Sequence, residues 1–147
     1  MDKQEAIARG LELIEKSKIA MLGTNGEHGF PNIKAMLNLK HEGISRFWFS
    51  TNTSSRRVQQ LQEDSRACVY FVDENEFKGL MLVGVVEILQ DIESRKMLWN
   101  DGYERYYPLG VEDPDYSVLC FAARQGNFYH GLENVTFDIS GAAVRDD

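Results

Sequence analysis

The stretch GLMLVGVVEILQ, residues 79–90, is a long apolar run rich in valine. Branched apolar side chains favour extended backbone, so the run predicts a strand. Gly79 and Gly84 lie within it, and a glycine inside a strand indicates a bulge or the close approach of another backbone. We therefore expect a long strand with a local irregularity.

Other apolar or alternating segments lie on both sides of this run, and short turns rich in Gly, Asn and Pro join most of them. They cover residues 19–24, 32–39, 46–51, 67–73, 116–124 and 128–139, with KHEGIS (40–45) and QGN (125–127) as turns, the second within a final hairpin. Strands joined by such turns pair antiparallel, and a sheet of this kind tends to close into a barrel that hides its edges. We expect a mostly β fold with peripheral helices, an antiparallel barrel of about six strands.

Residues 32–39 alternate between two faces. Ile33, Ala35 and Leu37 share an apolar face, and Lys34 falls on the other. A period of two is typical of a half-buried strand. The pattern therefore predicts that the apolar face packs on the core and that Lys34 lies on the polar side.

Helical segments accompany the strands. The spacing of apolar residues predicts a helix over residues 3–17, a short helix that begins near residue 54, and helical character over residues 91–107. The polar tail, residues 140–147, is expected to fray. No repeat or linker divides the chain, so we expect one domain over residues 1–147.

The charge of the chain argues against several classes of partner. The 147 residues carry 16 Lys and Arg against 23 Asp and Glu, a net charge of −7, whereas nucleic acids and anionic membranes require a basic surface. No apolar run approaches the roughly 18–20 residues of a membrane span, and the N-terminus lacks the apolar core of a signal peptide. We expect a cytoplasmic protein that binds neither nucleic acid nor membrane.

The cysteines and histidines do not indicate a metal site. Cys68 and Cys120 are the only cysteines, and each lies in an apolar stretch, where cysteine behaves as a small core residue. No CxxC pair occurs, and the three histidines are not at metal-ligand spacing. The glycine loops that bind phosphate and the serine-hydrolase motif are also missing. We expect no bound metal.

The segment FSTNTSSRRVQQL, residues 49–61, combines several hydroxyl and amide side chains with two arginines and a short apolar stripe. Val58 and Leu61 mark the buried side of a short helix. Its N-cap can be any of three hydroxyl residues, because a side-chain oxygen at that position accepts a backbone N–H of the first turn. These residues are Thr53, Ser54 and Ser55.

Arg56 and Arg57 then fall in the first turn of this helix, where the helix dipole disfavours a cation by roughly 0.3–1 kcal/mol. Hydroxyls, free backbone N–H groups and two guanidiniums together form a cradle for an anion, and phosphate is the anion that fits best. Lys34 can face the same cleft. The alternative is a surface helix whose arginines bind nothing, since Ser- and Thr-rich caps are common.

Three motifs follow one another along the chain: PNIKAMLNL (31–39), FWFSTNTSSRRV (47–58) and FKGLMLVGVVEIL (77–89). With LW at 98–99 and YYPLGVEDPDY at 106–116, their order and spacing resemble the pyridoxamine 5'-phosphate oxidase-like superfamily, the FMN-binding split barrel. The likeness is greatest to its short bacterial members of the general-stress-protein type, and it spans roughly residues 5–139.

The resemblance implies a flavin site at matching positions. In this family a basic strand residue lies near the flavin phosphate, the backbone after it runs along the isoalloxazine ring, two residues before a turn touch the flavin, and a helix start grips the phosphate. The matching residues here are Lys34; Ala35, Met36 and Leu37; Ser50 and Thr51; and Ser55, Arg56 and Arg57.

The resemblance also implies a homodimer, because the family's flavin lies in a groove between two subunits. Trp99, within the aromatic stretch 98–107, is a further candidate that would cover the flavin ring across this interface. The alternative is that the stretch packs its aromatic rings onto the barrel, as aromatic residues commonly do.

Two departures from the family pattern bear on activity. The oxidase that gives the family its name has a Gln where this chain has Gly79, and it ends in a segment with a Trp and an R-L-x-P motif, whereas this chain ends TFDISGAAVRDD. Flavin binding is still expected, whereas oxidation of pyridoxamine phosphate is not.

The expected function is that of an FMN-dependent oxidoreductase acting on a small acceptor, with its catalytic residues unassigned. His130 and the tyrosines are candidates without a defined geometry. The alternatives are a non-catalytic FMN-binding module with a stress-related role, a binder of deazaflavin or haem on the same fold, and a dimer without a ligand. The sequence leaves FMN and FAD undistinguished.

Overall fold

The computed structural model describes residues 1–139, so the expectation for the tail concerns residues outside this range. Within it, the chain forms three α-helices and eight β-strands, joined by turns that include three short 3-10 segments. In chain order the main elements are α1 Lys3–Lys16, β1 Ile19–Asn25, β2 Pro31–Leu37, β3 Lys40–Glu42, β4 Arg46–Asn52, α2 Arg56–Glu63, β5 Arg66–Asp73, β6 Lys78–Leu89, α3 Ile92–Leu98, β7 Tyr116–His130 and β8 Glu133–Asp138.

The strands form one antiparallel sheet that curls into a split barrel. Its order is β2-β1-β5-β6-β7-β4-β3, and β8 pairs with β7 outside this path. Strands β2 and β4 contact each other without pairing, and the opening between them is the split. The predicted mostly β, antiparallel barrel is confirmed. The predicted number of strands is too low in part because Lys40–Glu42, expected as a turn, pairs with β4 as β3.

Phenylalanine rings fill the barrel. Phe47 lies at the centre, with ring centroids 6.5, 5.7 and 6.2 Å from those of three neighbours, namely Phe49, Phe71 and Phe121. Helices α1 and α2 cover this core with their apolar faces. Burial of each large apolar side chain stabilises the folded state by about 1.5–3 kcal/mol. This core therefore holds the strands that border the split in a rigid frame.

Strand β7 is continuous where a turn was predicted. It passes through residues 125–127, and the hairpin turn lies at Gly131 and Leu132 instead. Gly126 is buried, and a Cβ at this position would lie 2.6 Å from the ring of Phe137. The prediction of a turn is wrong because this glycine allows close packing between β7 and β8.

Strand β6 has the irregularity predicted from its glycines. Its register against β7 shifts between Val83 and Gly84. At the same level the strand that pairs with the other edge of β7 changes from β4 to β8. A Cβ on Gly84 would lie 2.0 Å from the carbonyl oxygen of Ala122, so the expected close approach of a second backbone is confirmed.

The alternation of β2 is present, but its apolar face is turned outward. Met36 is buried on the same side as Lys34, which pairs with the buried Leu22 of β1. Ile33 and Leu37 are 65 % and 56 % exposed. The prediction that this apolar face packs on the core is wrong, because β2 borders the split and its inner face meets an opening where a lysine is tolerated.

Candidate functional site

A cleft opens at the split of the barrel. Its cavity has a volume of about 210 Å³ and is lined by residues 34–37 of β2, residues 50–52 of β4, Arg57 of α2 and tyrosines from the segment between α3 and β7. A smaller cavity of about 120 Å³ adjoins it, and Lys34 and Arg57 line both. The structure therefore brings together residues that are far apart in the sequence.

Helix α2 begins beside this cleft. Ser55 is its N-cap, and the Ser55 hydroxyl accepts the backbone N–H of Val58 at 3.3 Å. The first turn contains Arg56 and Arg57 and no acidic residue. The unpaired N–H groups of this turn add to the positive potential of the two side chains. Of the three predicted N-caps, the structure selects Ser55.

Arg57 is the partly buried cation of the cleft. Its Nη2 donates to Thr51 Oγ1 at 3.1 Å, while its Nε is buried without a hydrogen-bond partner among the described residues. Burial lowers the pKa of the guanidinium, but arginine stays charged in proteins. An unsatisfied buried donor costs about 1–3 kcal/mol, so this guanidinium retains hydrogen-bonding capacity that the described residues do not use.

Asp115 anchors the loop of residues 52–55 that precedes α2. Its carboxylate accepts Asn52 Nδ2 and the backbone N–H of Ser54, each at 2.8 Å. These hydrogen bonds hold the pKa of Asp115 below its ordinary value. The loop therefore keeps its shape through a carboxylate that lies outside the lining of the cleft.

The smaller cavity adds a third cation. Arg56 lines it together with Lys34 and Arg57. Thr24 and Gln60 also line this cavity, both buried, and the Thr24 hydroxyl donates to Gln60 Oε1 at 2.6 Å. Since both of these side chains are neutral, the charge of this region comes from the three cations.

Three tyrosines, which we call the aromatic wall, complete the larger cavity: Tyr103, Tyr106 and Tyr107. Tyr107 stacks on the buried Tyr116, with ring centroids 4.5 Å apart. Burial raises the pKa of Tyr116 to about 12 and raises that of Tyr107 well above its usual range. Both phenols are therefore protonated near neutral pH.

Most of the predicted site residues lie at the cleft. The larger cavity is lined by Lys34, Ala35, Met36, Leu37, Ser50, Thr51 and Arg57, and the smaller one also by Arg56. Ser55 caps α2 and contacts Thr51 Oγ1 at 3.5 Å. Their roles in binding a flavin stay predictions.

Trp99 and His130 lie elsewhere. The ring of Trp99 packs 5.6 Å from those of Tyr103 and Tyr116, behind the aromatic wall, and lines neither cavity. His130 contacts Arg9 of α1 through its Nδ1. Sequence reasoning did not identify Asn52 in the lining or the anchoring role of Asp115, because the two belong to segments 63 residues apart.

A curled antiparallel barrel that opens at a cationic cleft defines the class of split-barrel proteins. The chain belongs to the pyridoxamine 5'-phosphate oxidase-like family, whose model matches residues 5–144. This match confirms the resemblance seen in the three motifs.

Two solved structures place the chain near the general stress proteins of this family. A Clostridium acetobutylicum protein related to general stress protein 26 of Bacillus subtilis, of the pyridoxinephosphate oxidase family, is 56 % identical over 97 % of this chain and 99 % of its own, with a TM-score of 0.83. General stress protein 26 of Bacillus anthracis is 17 % identical over 95 % of this chain and 100 % of its own, with a TM-score of 0.74.

A haem-binding protein of Mycobacterium smegmatis has the same fold. It is 17 % identical, covers 98 % of this chain with 61 % of its own length, and has a TM-score of 0.74. At this identity the likeness concerns the fold alone.

The described residues add three observations on the expected partners. No helix among them is long and apolar enough to cross a membrane. Residues 1–139 contain no group of three or more His, Cys, Asp or Glu side chains arranged to hold a metal ion. Cys120 is buried and Cys68 is half-buried, and both are free thiols.

Proposed function

We propose that this protein binds FMN at the split of the barrel and acts as an oxidoreductase. The observation that carries the proposal is a cleft lined by two cations, Lys34 and Arg57, of which Arg57 has a donor without a partner among the described residues. A phosphate accepts several hydrogen bonds at once, so it suits a guanidinium beside hydroxyls and a helix N-terminus.

The cofactor would follow the family pattern along the cleft. Lys34, Arg56 and Arg57 would hold its phosphate, and the backbone of residues 35–37 would lie beside its ring. When bound, FMN supplies the redox chemistry by accepting and releasing electrons, and the protein contributes binding and orientation.

The lining of the cleft favours simple electron transfer. No carboxylate, histidine or cysteine is among the described residues that line the larger cavity, and its buried tyrosine is protonated near neutral pH. A reaction that needs a strong general base at the substrate would lack that base here. We therefore propose that a small acceptor takes electrons from the reduced protein.

The purified protein is expected to show flavin absorption bands. After removal of the flavin, it is expected to bind FMN at least about tenfold more tightly than riboflavin, because riboflavin lacks the phosphate and each charge-assisted hydrogen bond contributes about 1.5–3 kcal/mol. Quenching of flavin fluorescence measures both affinities. A colourless protein that does not distinguish the two compounds would contradict the proposal.

The catalytic part of the proposal is tested on the FMN-loaded protein. With NADH or NADPH as donor and dichlorophenolindophenol as acceptor, turnover above that of the same concentration of free FMN supports an oxidoreductase. FMN binding without such turnover would instead favour the non-catalytic flavin-binding module.

We also propose that two copies of the chain form a dimer. The outer face of the sheet exposes several large apolar residues, among them Ile19, Ile33, Val72 and Met81 at 45 %, 65 %, 50 % and 42 %. Several large apolar side chains exposed on one face of a sheet favour an interaction site there. It adjoins the cleft through β2, which fits the family arrangement with the cofactor at the subunit interface.

Replacing Ile19 and Ile33 together by Glu is expected to convert the dimer to a monomer, because an unpaired charge is costly to bury. Sedimentation velocity gives the oligomeric state. Leu132→Glu is the matched control, since Leu132 is fully exposed at the β7–β8 turn and lies off this face. A wild-type protein that sediments as a monomer at micromolar concentration would contradict the dimer.

Finally, we propose that the protein acts in the cytoplasm. Its two cysteines are free thiols, and free thiols are typical of a reducing compartment.

A further inference from the structure

Tyr106 differs from its neighbours in the aromatic wall by its exposure. It lines the larger cavity and yet is 58 % exposed, whereas its neighbour Tyr107 is 4 % exposed. Its ring contacts those of Tyr103 and Tyr107 edge-on, with centroids 6.2 and 6.4 Å apart. With more than half of its surface exposed, the Tyr106 ring is accessible to a second planar ring, and aromatic rings stack readily on one another.

The support beneath Tyr106 is rigid. Tyr107 stacks on Tyr116, and the Tyr116 hydroxyl donates to the backbone carbonyl of Arg95 at 2.6 Å. The Arg95 guanidinium returns a hydrogen bond from Nε to the carbonyl of Tyr116 at 2.8 Å. Tyr106 therefore sits on a fixed base, so little conformational entropy is lost when a second ring stacks on it.

The charges of the cleft restrict what can stack there. Lys34 and Arg57 are the only charged residues among the described residues that line the larger cavity. The proposed function uses both of them on the flavin phosphate. Next to Tyr106 in the chain, the exposed Asp101 and Glu104 outnumber the exposed Arg105. Once the flavin phosphate occupies both cations, a second anion would face this net negative segment, which is unfavourable.

We propose that Tyr106 is the stacking platform for the second reactant, and that this reactant is a planar aromatic compound without a phosphate or other negative charge. The inference rests on the proposed function, because it takes the cations as occupied by the flavin phosphate. It assigns to Tyr106 a role in specificity, separate from the binding of the cofactor.

The main competing role for Tyr106 is contact with the flavin itself. In that case removal of the ring would weaken FMN binding and leave the binding of a second aromatic compound unchanged. If Tyr106 binds the second reactant, removal of the ring lowers the affinity for that compound in protein that still holds FMN.

The test measures the binding of 2-naphthol and 2-naphthyl phosphate to the FMN-loaded protein by equilibrium dialysis, with retained flavin followed by its absorbance. The two probes share one aromatic ring system and differ in the phosphate. 2-Naphthol is expected to bind at least about tenfold more tightly, since the phosphate of the other probe meets the net negative charge around Tyr106. In Tyr106→Ala the affinity for 2-naphthol is expected to fall about 3- to 10-fold, as for the loss of one aromatic pair.

Two variants make the result specific to the ring. Tyr106→Phe keeps the ring and is expected to keep the affinity for 2-naphthol. Leu109→Ala removes a side chain that is 72 % exposed in the same segment but does not line the cavity, so no change is expected.

The outcomes separate the inference from the proposed function. FMN-loaded protein that binds 2-naphthyl phosphate as tightly as 2-naphthol, or whose affinity for 2-naphthol is unchanged in Tyr106→Ala, would overturn the inference alone. Protein that takes up no FMN would overturn the proposed function, and the inference with it.

Discussion

Gly84→Ala is expected to lower the free energy of unfolding by about 3 kcal/mol or more, and Gly84→Val by more still. The new Cβ would lie 2.0 Å from the carbonyl oxygen of Ala122 and 2.9 Å from the Cα of Ala123. No rotamer relieves a clash with backbone, so β6 and β7 must move apart at the bulge. Urea unfolding followed by circular dichroism measures the change, which is a large part of a typical stability of about 5–15 kcal/mol.

Gly79→Ala is the matched control, since it makes the same substitution in the same strand. Its Cβ would lie 2.7 Å from Tyr129, but the atoms it meets are Cε1 and Oη of that side chain. The half-buried Tyr129 ring can shift outward at the expense of its hydrogen bond to Tyr70, so the loss is expected to stay near 1 kcal/mol. Equal losses at the two positions would contradict this explanation of the bulge.

Local sequence patterns predicted where the strands and helices lie better than they predicted which face of each element is buried. The alternation over residues 32–39 located β2 correctly but did not show which face meets the core, because exposed Ile33 and buried Met36 are both apolar. Which face is inside depends on the split, and the split arises from contacts between strands that are distant in sequence. The same apolar face is the one expected to be covered by a second copy of the chain.

The glycines illustrate the same limit. Gly84 and Gly126 both lie inside strands, and each is required because another part of the chain comes too close for a Cβ. At Gly84 the surrounding apolar run made a strand evident, whereas Gly126 is followed by Asn127, and Gly and Asn are both typical of turns. Only the pairing of β7 with β8, which brings Phe137 onto Gly126, distinguishes a packed strand from a turn.

The candidate site was predictable where the sequence breaks a local rule. Two arginines in the first turn of a helix oppose the helix dipole, and this anomaly is visible in the sequence alone and marks both α2 and its cradle. The aromatic stretch gave no comparable signal, because Trp99 and Tyr106 are equally suited to a core or to a cleft. Their exposures and contacts distinguish them: Trp99 packs behind the wall, and Tyr106 faces the opening.

Arg57→Ala is expected to lower the affinity for FMN by about 30- to 100-fold and the affinity for riboflavin by less than about threefold. Arg57 is the cation whose buried Nε lacks a partner among the described residues and whose Nη2 is fixed by Thr51. A phosphate that accepts from this side chain would gain charge-assisted hydrogen bonds at a donor already held in place. Because riboflavin differs from FMN only in the phosphate, the ratio of the two affinities isolates this contact from any general damage to the cleft.

The same titration on two further variants tests whether the position of each cation, and not only its charge, determines its effect on FMN binding. Arg56 is exposed and lines only the smaller cavity, so Arg56→Ala is expected to weaken FMN binding less than Arg57→Ala does. Lys16→Ala also removes one positive charge, but at an exposed ion pair with Glu12 at the end of α1, so it is expected to leave both affinities unchanged. If all three variants weakened FMN binding equally, long-range charge alone would explain the effect and the cradle would not. If Arg57→Ala weakened riboflavin binding as much as FMN binding, Arg57 would support the shape of the cleft and would not bind the phosphate.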